Sequence, residues 1–161
     1  LSQTISMFNP TWEEESNFDA AFDQAVEFAH TLLLRFVASA QGGLNAKKIV
    51  AQAIKQADDP RLIVLERYTP WKKTVHSLSE EALYVVYPSH SGKWIVQTVP
   101  AELGSFEDRK PLPAPWAGLS DSEFQAVTGI DDAMFCHNGL FIAGAESFES
   151  VMSLATMALE Y

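Results

Sequence analysis

The fold is decided by residues 83–99, which read LYVVYPSHSGKWIVQTV. Two apolar runs, 83–87 and 94–99, flank the turn-forming cluster PSHSG, and this arrangement is typical of an antiparallel β-hairpin. Upstream, residues 62–65 form a continuous aliphatic run, which predicts a short strand buried on both faces. The hairpin and this strand predict the centre of a β-sheet.

A long acidic helix is predicted before the sheet. Thr11 and Glu14 have the spacing of a capping box, and apolar residues then recur every three or four positions, which predicts a helix over 12–40. The glycine pair 42–43 is expected to end this helix, because glycine readily adopts the left-handed conformation that closes helices. A second helix is then predicted over 45–57.

The remaining patterns complete a mixed α/β (α+β) sandwich. We expect a sheet of about five strands, packed with a long N-terminal helix and a C-terminal helix, in a single domain over 1–161. The other predicted elements are a short helix at 70–75, a proline-rich loop at 100–116, a helix from Ser120 to Gly129, strands at 134–136 and 140–143, and a last helix at 147–160.

Composition limits the possible functions. The chain has 161 residues, with 11 Lys and Arg against 21 Asp and Glu, and its net charge of -10 excludes a protein that coats nucleic acid indiscriminately. No apolar stretch approaches the roughly 18 residues that span a bilayer, so no membrane contact is predicted. The sequence opens at Leu1 without a methionine, and we expect it to be a piece of a longer protein.

Motifs for catalysis or metal binding are absent from the sequence. There is no His-Glu-x-x-His, no Cys-x-x-Cys, no Gly-x-Ser-x-Gly and no P-loop. The single cysteine, Cys136, excludes an internal disulfide and fits a reducing compartment, and we interpret it as a small buried apolar residue. The residues alone therefore predict neither a complete metal site nor a nucleophile.

A basic segment and a strand corner are the candidate binding features. Residues 44–73 carry seven cations against three acids, so this segment could hold an anion. Within it, Trp71, Lys72 and Lys73 suit phosphate contact with base or sugar stacking, but Trp71 could equally belong to the core, with the lysines as its solvated flank.

The corner between the last two strands contains His137, Asn138 and Gly139. A backbone amide and an imidazole there could meet phosphate oxygens. An Asn-Gly hairpin turn explains Asn138 and Gly139 without any ligand, but it leaves His137 unexplained.

Four segments of the chain resemble one known family. They read PWKK (70–73), WIVQTVP (94–100), FEDRKPLPAPWAGL (106–119) and FCHNGLFIAG (135–144). In this order they resemble the C-terminal half of the melanocyte-proliferating-gene family, described as metal-dependent protein hydrolases related to the DHH phosphoesterases. The resemblance extends over residues 18–160, nearly the whole chain.

The resemblance implies that catalysis takes place in a domain that this sequence does not contain. In that family the metal-binding residues, including an Asp-His-His triplet, lie in an N-terminal domain, and no such triplet occurs here. The resemblance implies manganese or magnesium in that domain and 3′-to-5′ exonuclease action on RNA. This chain, inactive alone and holding no cofactor, would be the C-terminal substrate-side domain.

The resemblance also implies partners, a location and site residues. The partners would be the N-terminal catalytic domain and RNA, inside the cell, in the nucleus and mitochondrion or in the cytoplasm. Related DHH proteins hold substrate phosphate with a Gly-Gly-His motif, to which His137 and Gly139 are the nearest match. The implied substrate-binding residues are His137, Asn138, Gly139, Arg109, Trp71, Lys72 and Lys73, with Lys110 as a further candidate.

Two other hypotheses remain open. In one, the chain is a structural or dimerisation domain without substrate contact, and Trp94 and Trp116 anchor the proline-rich loop on a partner, which includes the case of a homodimer. In the other, the chain is a hydrolase by itself, which the missing metal and nucleophile motifs disfavour.

Overall fold

The computed structural model describes residues 2–15 and 17–161, which fall into two compact units divided between Asn45 and Ala46. The whole sheet and the elements that follow it along the chain belong to the second unit. That the chain acts as one domain stays a prediction. The elements are α1 (Ser2–Ser6), α2 (Phe18–Gln56), β1 (Leu62–Val64), α3 (Lys72–Leu78), β2 (Tyr84–Pro88), β3 (Trp94–Thr98), a 3-10 turn (Ala114–Trp116), α4 (Asp121–Thr128), β4 (Ala133–Cys136), β5 (Ile142–Ala145) and α5 (Phe148–Glu160).

The five strands form one mixed sheet in the order β1-β2-β3-β5-β4. Strand β1 is parallel to β2, and all the other pairs are antiparallel. The predicted hairpin is the β2–β3 pair, in which Tyr84 lies opposite Thr98 and Pro88 lies opposite Trp94. The predicted α/β sandwich with about five strands, a long N-terminal helix and a C-terminal helix is confirmed.

Both faces of the sheet are covered, because alternate residues of a strand point to opposite sides. On β2, Tyr84 and Val86 belong to a cluster that also contains buried residues of α5. Val85 and Tyr87 belong to a second cluster with Trp71 and with buried residues of α2 and α3. Each fully buried apolar side chain contributes on the order of 2 kcal/mol to folding, so the sheet centre anchors the fold.

The start of α2 differs from the prediction. Thr11 and Glu14 do interact, since the Thr11 amide donates to a Glu14 carboxylate oxygen at 2.7 Å, but they close only an isolated turn. The helix begins at Phe18, where the Asn17 side chain accepts a hydrogen bond from the Ala20 amide at 3.0 Å. Asparagine is as good an N-cap as threonine, and it stands directly before the apolar stripe.

The expected helix end at residues 42–43 is also wrong, because α2 continues unbroken to Gln56. A helical glycine costs about 1 kcal/mol relative to alanine, which neighbouring helical residues can offset. Here the Gln41 side-chain amide donates to the Asn45 side chain at 3.1 Å, one turn later. Gly129 does close α4 as predicted, with a φ of 70°.

The proline-rich loop contributes to the core rather than to an outer surface. Trp116 is 3% exposed and packs edge-on against Phe124, with ring centroids 5.5 Å apart. A residue buried inside its own chain cannot anchor a partner, so the prediction that Trp116 forms an interface is wrong. Trp94 is half-buried and packs against Phe148 at 4.7 Å.

The other predicted elements are present with shifted ends. Helix α3 begins and ends later than predicted, at Lys72–Leu78, and the last helix is α5 at Phe148–Glu160. Within the part of the chain that the structure describes, no helix is long and apolar enough to cross a membrane.

Candidate functional site

The corner between β4 and β5 is a tight turn at residues 137–140. The His137 amide donates to the Ile142 carbonyl at 2.9 Å, and the Leu140 amide donates back to the His137 carbonyl at 2.8 Å. Leu140 has a φ of 58°, in the left-handed region that completes so sharp a reversal. Strands β4 and β5, on either side of the turn, are paired in the sheet. The three residues His137, Asn138 and Gly139 are exposed at the end of this pair.

The His137 imidazole is held in one orientation. The Gly139 amide donates to Nδ1 at 2.9 Å, and the ring centroid lies 4.4 Å from that of Phe141. Because Nδ1 accepts this bond, the neutral ring carries its proton on Nε2, which can donate to an anion. A side chain at Gly139 would come within 3.2 Å of Nδ1, so glycine suits this close approach.

A polar pair, buried Thr98 and half-buried Asp108, lies next to this corner, at the end of β3. The Thr98 amide donates to the Phe141 carbonyl at 3.0 Å, and the Thr98 hydroxyl donates to the Asp108 carboxylate at 2.6 Å. Burial raises the pKa of the Asp108 carboxyl, while the Thr98 hydrogen bond and the positive charge of Lys72 lower it. Thr98 therefore connects Asp108 to Phe141, which follows the His137 corner, and Asp108 lies within electrostatic reach of Lys72.

Asp108 was not among the residues that sequence reasoning selected. The signal for it was present, since it directly precedes Arg109 in the segment that resembles the family. Its position is fixed in part by a backbone bridge with Pro100 within the proline-rich loop, and no periodicity predicts that contact.

Arg109 makes contacts that hold the backbone in place. One guanidinium nitrogen, Nη1, donates to the carbonyls of Ser79 and Ala82 at 2.7 and 3.0 Å and to that of Glu80 at 3.1 Å. The Lys110 ammonium similarly donates to the Leu159 carbonyl at 3.0 Å. Arg109 and Lys110 therefore each stabilise the backbone, and these bonds use at least part of the hydrogen-bonding capacity of each side chain.

Trp71, Lys72 and Lys73 lie at the start of α3, and the indole is separated from solvent. Trp71 is 2% exposed and belongs to the core cluster on one face of the sheet. Lys72 and Lys73 are exposed, and the Lys72 ammonium lies 5.9 Å from the indole centroid, within reach of a cation–π contact. A ligand can therefore reach Lys72 and Lys73, whereas the indole face of Trp71 is covered.

The basic segment at residues 44–73 does not act as one free patch. Arg61 forms a salt bridge with Asp59 at 2.7 Å, and its hydrogen bonds lower the pKa of that carboxyl.

A cavity of about 990 Å³ lies along β1, between the end of α2 and α5. Its lining mixes apolar side chains with both signs of charge, and it contains none of the residues at the His137 corner.

The family resemblance implies a divalent ion in a separate N-terminal domain and none in this chain. Among residues 2–15 and 17–161, no three His, Cys, Asp or Glu side chains lie close enough together to hold a metal. Cys136 is 2% exposed, and burial raises the pKa of its thiol to about 12, so it is not an activated nucleophile. The interpretation of Cys136 as a small buried residue is confirmed.

Comparison with known proteins gives the family. The family model MYG1_exonuc, described as an uncharacterised protein family (UPF0160), matches residues 1–159. The chain belongs to the MYG1 family. The predicted membership of the melanocyte-proliferating-gene family, which this name abbreviates, is therefore confirmed.

MYG1 relatives occur in yeasts, mammals and bacteria. The chain is 37% identical to the MYG1 protein YER156C of Saccharomyces cerevisiae, over 96% of this chain and 50% of that protein. It is 31% identical to the MYG1 exonuclease of Homo sapiens and 33% identical to a MYG1 protein of Chlamydia pneumoniae, over 99% of this chain and 46% and 56% of those proteins. The chain thus spans about half the length of these relatives, and no solved structure matches it.

Proposed function

We propose that this chain is the substrate-side domain, C-terminal in its parent protein, of a metal-dependent phosphodiester hydrolase. The proposed reaction is 3′-to-5′ exonuclease action on RNA, carried out with manganese or magnesium in a separate N-terminal domain related to the DHH phosphoesterases. The name exonuclease carried by the mammalian MYG1 relatives supports the reaction class. The nucleus and mitochondrion, or the cytoplasm, are the proposed locations.

The His137 corner is the observation that carries this proposal. Its imidazole is exposed, and the Gly139 amide fixes its tautomer so that Nε2 holds the proton. A donor fixed in this way can bind a phosphate oxygen with little loss of side-chain entropy. Lys72 and Lys73 supply exposed positive charge. Burial raises the pKa of the Asp108 carboxyl and the charge of Lys72 lowers it, which supports the presence of positive charge within electrostatic reach of Asp108.

The test is the activity of the full-length protein carrying His137→Ala. We expect the turnover of a short RNA oligomer, with manganese or magnesium present, to fall about tenfold, the effect of one lost hydrogen bond to a charged group. Because His137 is exposed, the variant should fold normally, which its melting temperature checks.

His90→Ala is the matched control, since His90 is another exposed turn histidine and lies between β2 and β3. The control should retain wild-type turnover. Unchanged turnover in His137→Ala, or an equal loss in both variants, would contradict a phosphate-binding role for the corner.

A further inference from the structure

One face of α2 carries large apolar side chains that remain exposed. An adjoining side of the helix is covered, since Ala21 and Ala25 are buried and the ring of Phe28 packs on that of Phe8, with centroids 5.4 Å apart. The exposed set is Phe18, Phe22, Val26, Leu33, Phe36, Val37 and Leu44, whose exposed fractions run from 48% to 68%. Contiguous apolar surface of this kind marks an interaction site.

The central residues of this face have the spacing of a coiled coil. Phe22, Val26, Ala29, Leu33, Phe36 and Ala40 follow one another at intervals of four, three, four, three and four. Alternating intervals of three and four place side chains on the narrow seam along which two helices pack. The occupant that this spacing favours is another helix.

Charge disfavours a lipid surface as the occupant. The acidic residues Asp19, Asp23 and Glu27 lie on the first turns of α2, where an interfacial membrane helix typically carries Lys and Arg. Anionic headgroups would repel these carboxylates and the chain's net charge of -10.

Residue sizes and charges along the seam favour a second copy of α2 running in the opposite direction. With Ala29 of one copy opposite Leu33 of the other, the two-fold relation also sets Phe22 opposite Ala40, so that large side chains meet small ones. A parallel pair would instead set each acidic residue beside its own copy.

We infer that the exposed face of α2 is a self-association surface, through which two copies of this chain pair as antiparallel helices. This surface replaces the predicted anchor at Trp116, which is buried in the core. It shares no residue with the His137 corner, which lies between β4 and β5.

Light scattering on the full chain tests the inference. At tens of micromolar the wild-type chain should have the mass of two copies, and Phe36→Glu should have the mass of one, because the symmetry buries two unpaired carboxylates. Gln24→Glu, at an exposed position off the seam, is the control and should remain dimeric. Equal helical circular dichroism would show that all three chains are folded.

A wild-type chain with the mass of one copy overturns the inference, and so does a Phe36→Glu chain with the mass of two. Binding of the monomer to vesicles of anionic lipid would identify a membrane as the occupant and would likewise overturn it. The protein concentration is recorded together with each mass, so loss of dimer is separated from loss of protein.

Disulfide trapping tests the direction of the helices. Chains with Phe22→Cys mixed with chains carrying Ala40→Cys should form a cross-linked pair, while Phe22→Cys alone should not. In the antiparallel register its two copies stand about 27 Å apart, at 1.5 Å per residue. Efficient cross-linking of Phe22→Cys to itself would contradict the antiparallel arrangement.

Discussion

At the scale of single residues, Asp108 is a carboxylate that the fold holds partly out of water. Burial raises its pKa above the ordinary value, although Thr98 donates to it and Lys72 lies near. An acid whose pKa is raised by folding destabilises the native state once it ionises, so stability falls as the pH rises through the folded pKa.

We therefore expect Asp108→Asn to raise the melting temperature at pH 7, because the amide can still accept from Thr98 and carries no charge. The difference from wild type should shrink as the pH falls below about 4, where the aspartate is protonated as well. Differential scanning calorimetry across this range measures both melting temperatures. A difference that grows on acidification would contradict the assignment.

Arg109 supports a second prediction at this scale. Replacing it with alanine removes the donor shared by the carbonyls of Ser79, Glu80 and Ala82. We expect the free energy of unfolding, measured by urea titration, to fall by about 2 kcal/mol. Lys73→Ala, which removes an equal charge from an exposed position, should change it by less than about 0.5 kcal/mol. An unchanged free energy of unfolding in Arg109→Ala would contradict this structural role and would leave Arg109 as a candidate for phosphate contact.

These residues show which parts of the site could be predicted. His137 stood out in the sequence because an Asn-Gly turn left it unexplained, and the structure holds it exposed in such a turn. The burial of Asp108 and the carbonyl contacts of Arg109 arise from the path of the proline-rich loop. That path depends on contacts between residues distant in sequence, which local patterns do not encode.

At the scale of elements, the glycines of two helices behave differently. Gly42 lies within α2 with open space where a side chain would stand, whereas Gly129 ends α4 with a φ of 70°. The sequence pattern predicted that Gly42 would end a helix, as Gly129 does. Sequence alone does not distinguish a glycine within a helix from one at its end, because the difference depends on how the following residues pack.

We expect Gly42→Ala to stabilise the chain by about 1 kcal/mol, since alanine loses less backbone entropy and meets no neighbour. Gly129→Ala should destabilise it by about 1 kcal/mol, since a side chain is strained in the left-handed region. Thermal unfolding followed by circular dichroism measures both changes. Shifts in the same direction for the two variants would contradict this account.

At the scale of the whole molecule, the net charge of -10 hides a separation of charge along the chain. Three carboxylates, Asp19, Asp23 and Glu27, lie at the start of α2, while Lys72 and Lys73 are exposed at the start of α3. The sheet and its hairpin could be predicted because their apolar runs are short and bounded by turns. The packing of the proline-rich loop into the core could not, since proline content alone resembles that of a surface loop.

This separation predicts how RNA binding depends on salt. In the full-length protein, replacing Lys72 and Lys73 together with alanine should weaken the binding of single-stranded RNA and reduce the salt slope of the affinity by about 1.4, since each phosphate no longer neutralised contributes about 0.7. Replacing Lys47 and Lys48 makes the same change in net charge and should leave the slope unaltered. Fluorescence anisotropy at several salt concentrations measures the slope, and equal effects from both pairs would contradict a localised site.

The burial of Cys136 makes the chain convenient for spectroscopy. Burial raises the pKa of its thiol to about 12, so almost none of the thiol is ionised at pH 7. The residue also belongs to the buried core cluster, where reagents in solution do not reach it. Maleimide dyes and maleimide spin labels react with accessible thiolates. A cysteine introduced on the surface would therefore be labelled, while Cys136 would remain unlabelled. Distances within and between chains can thus be recorded on the otherwise native sequence.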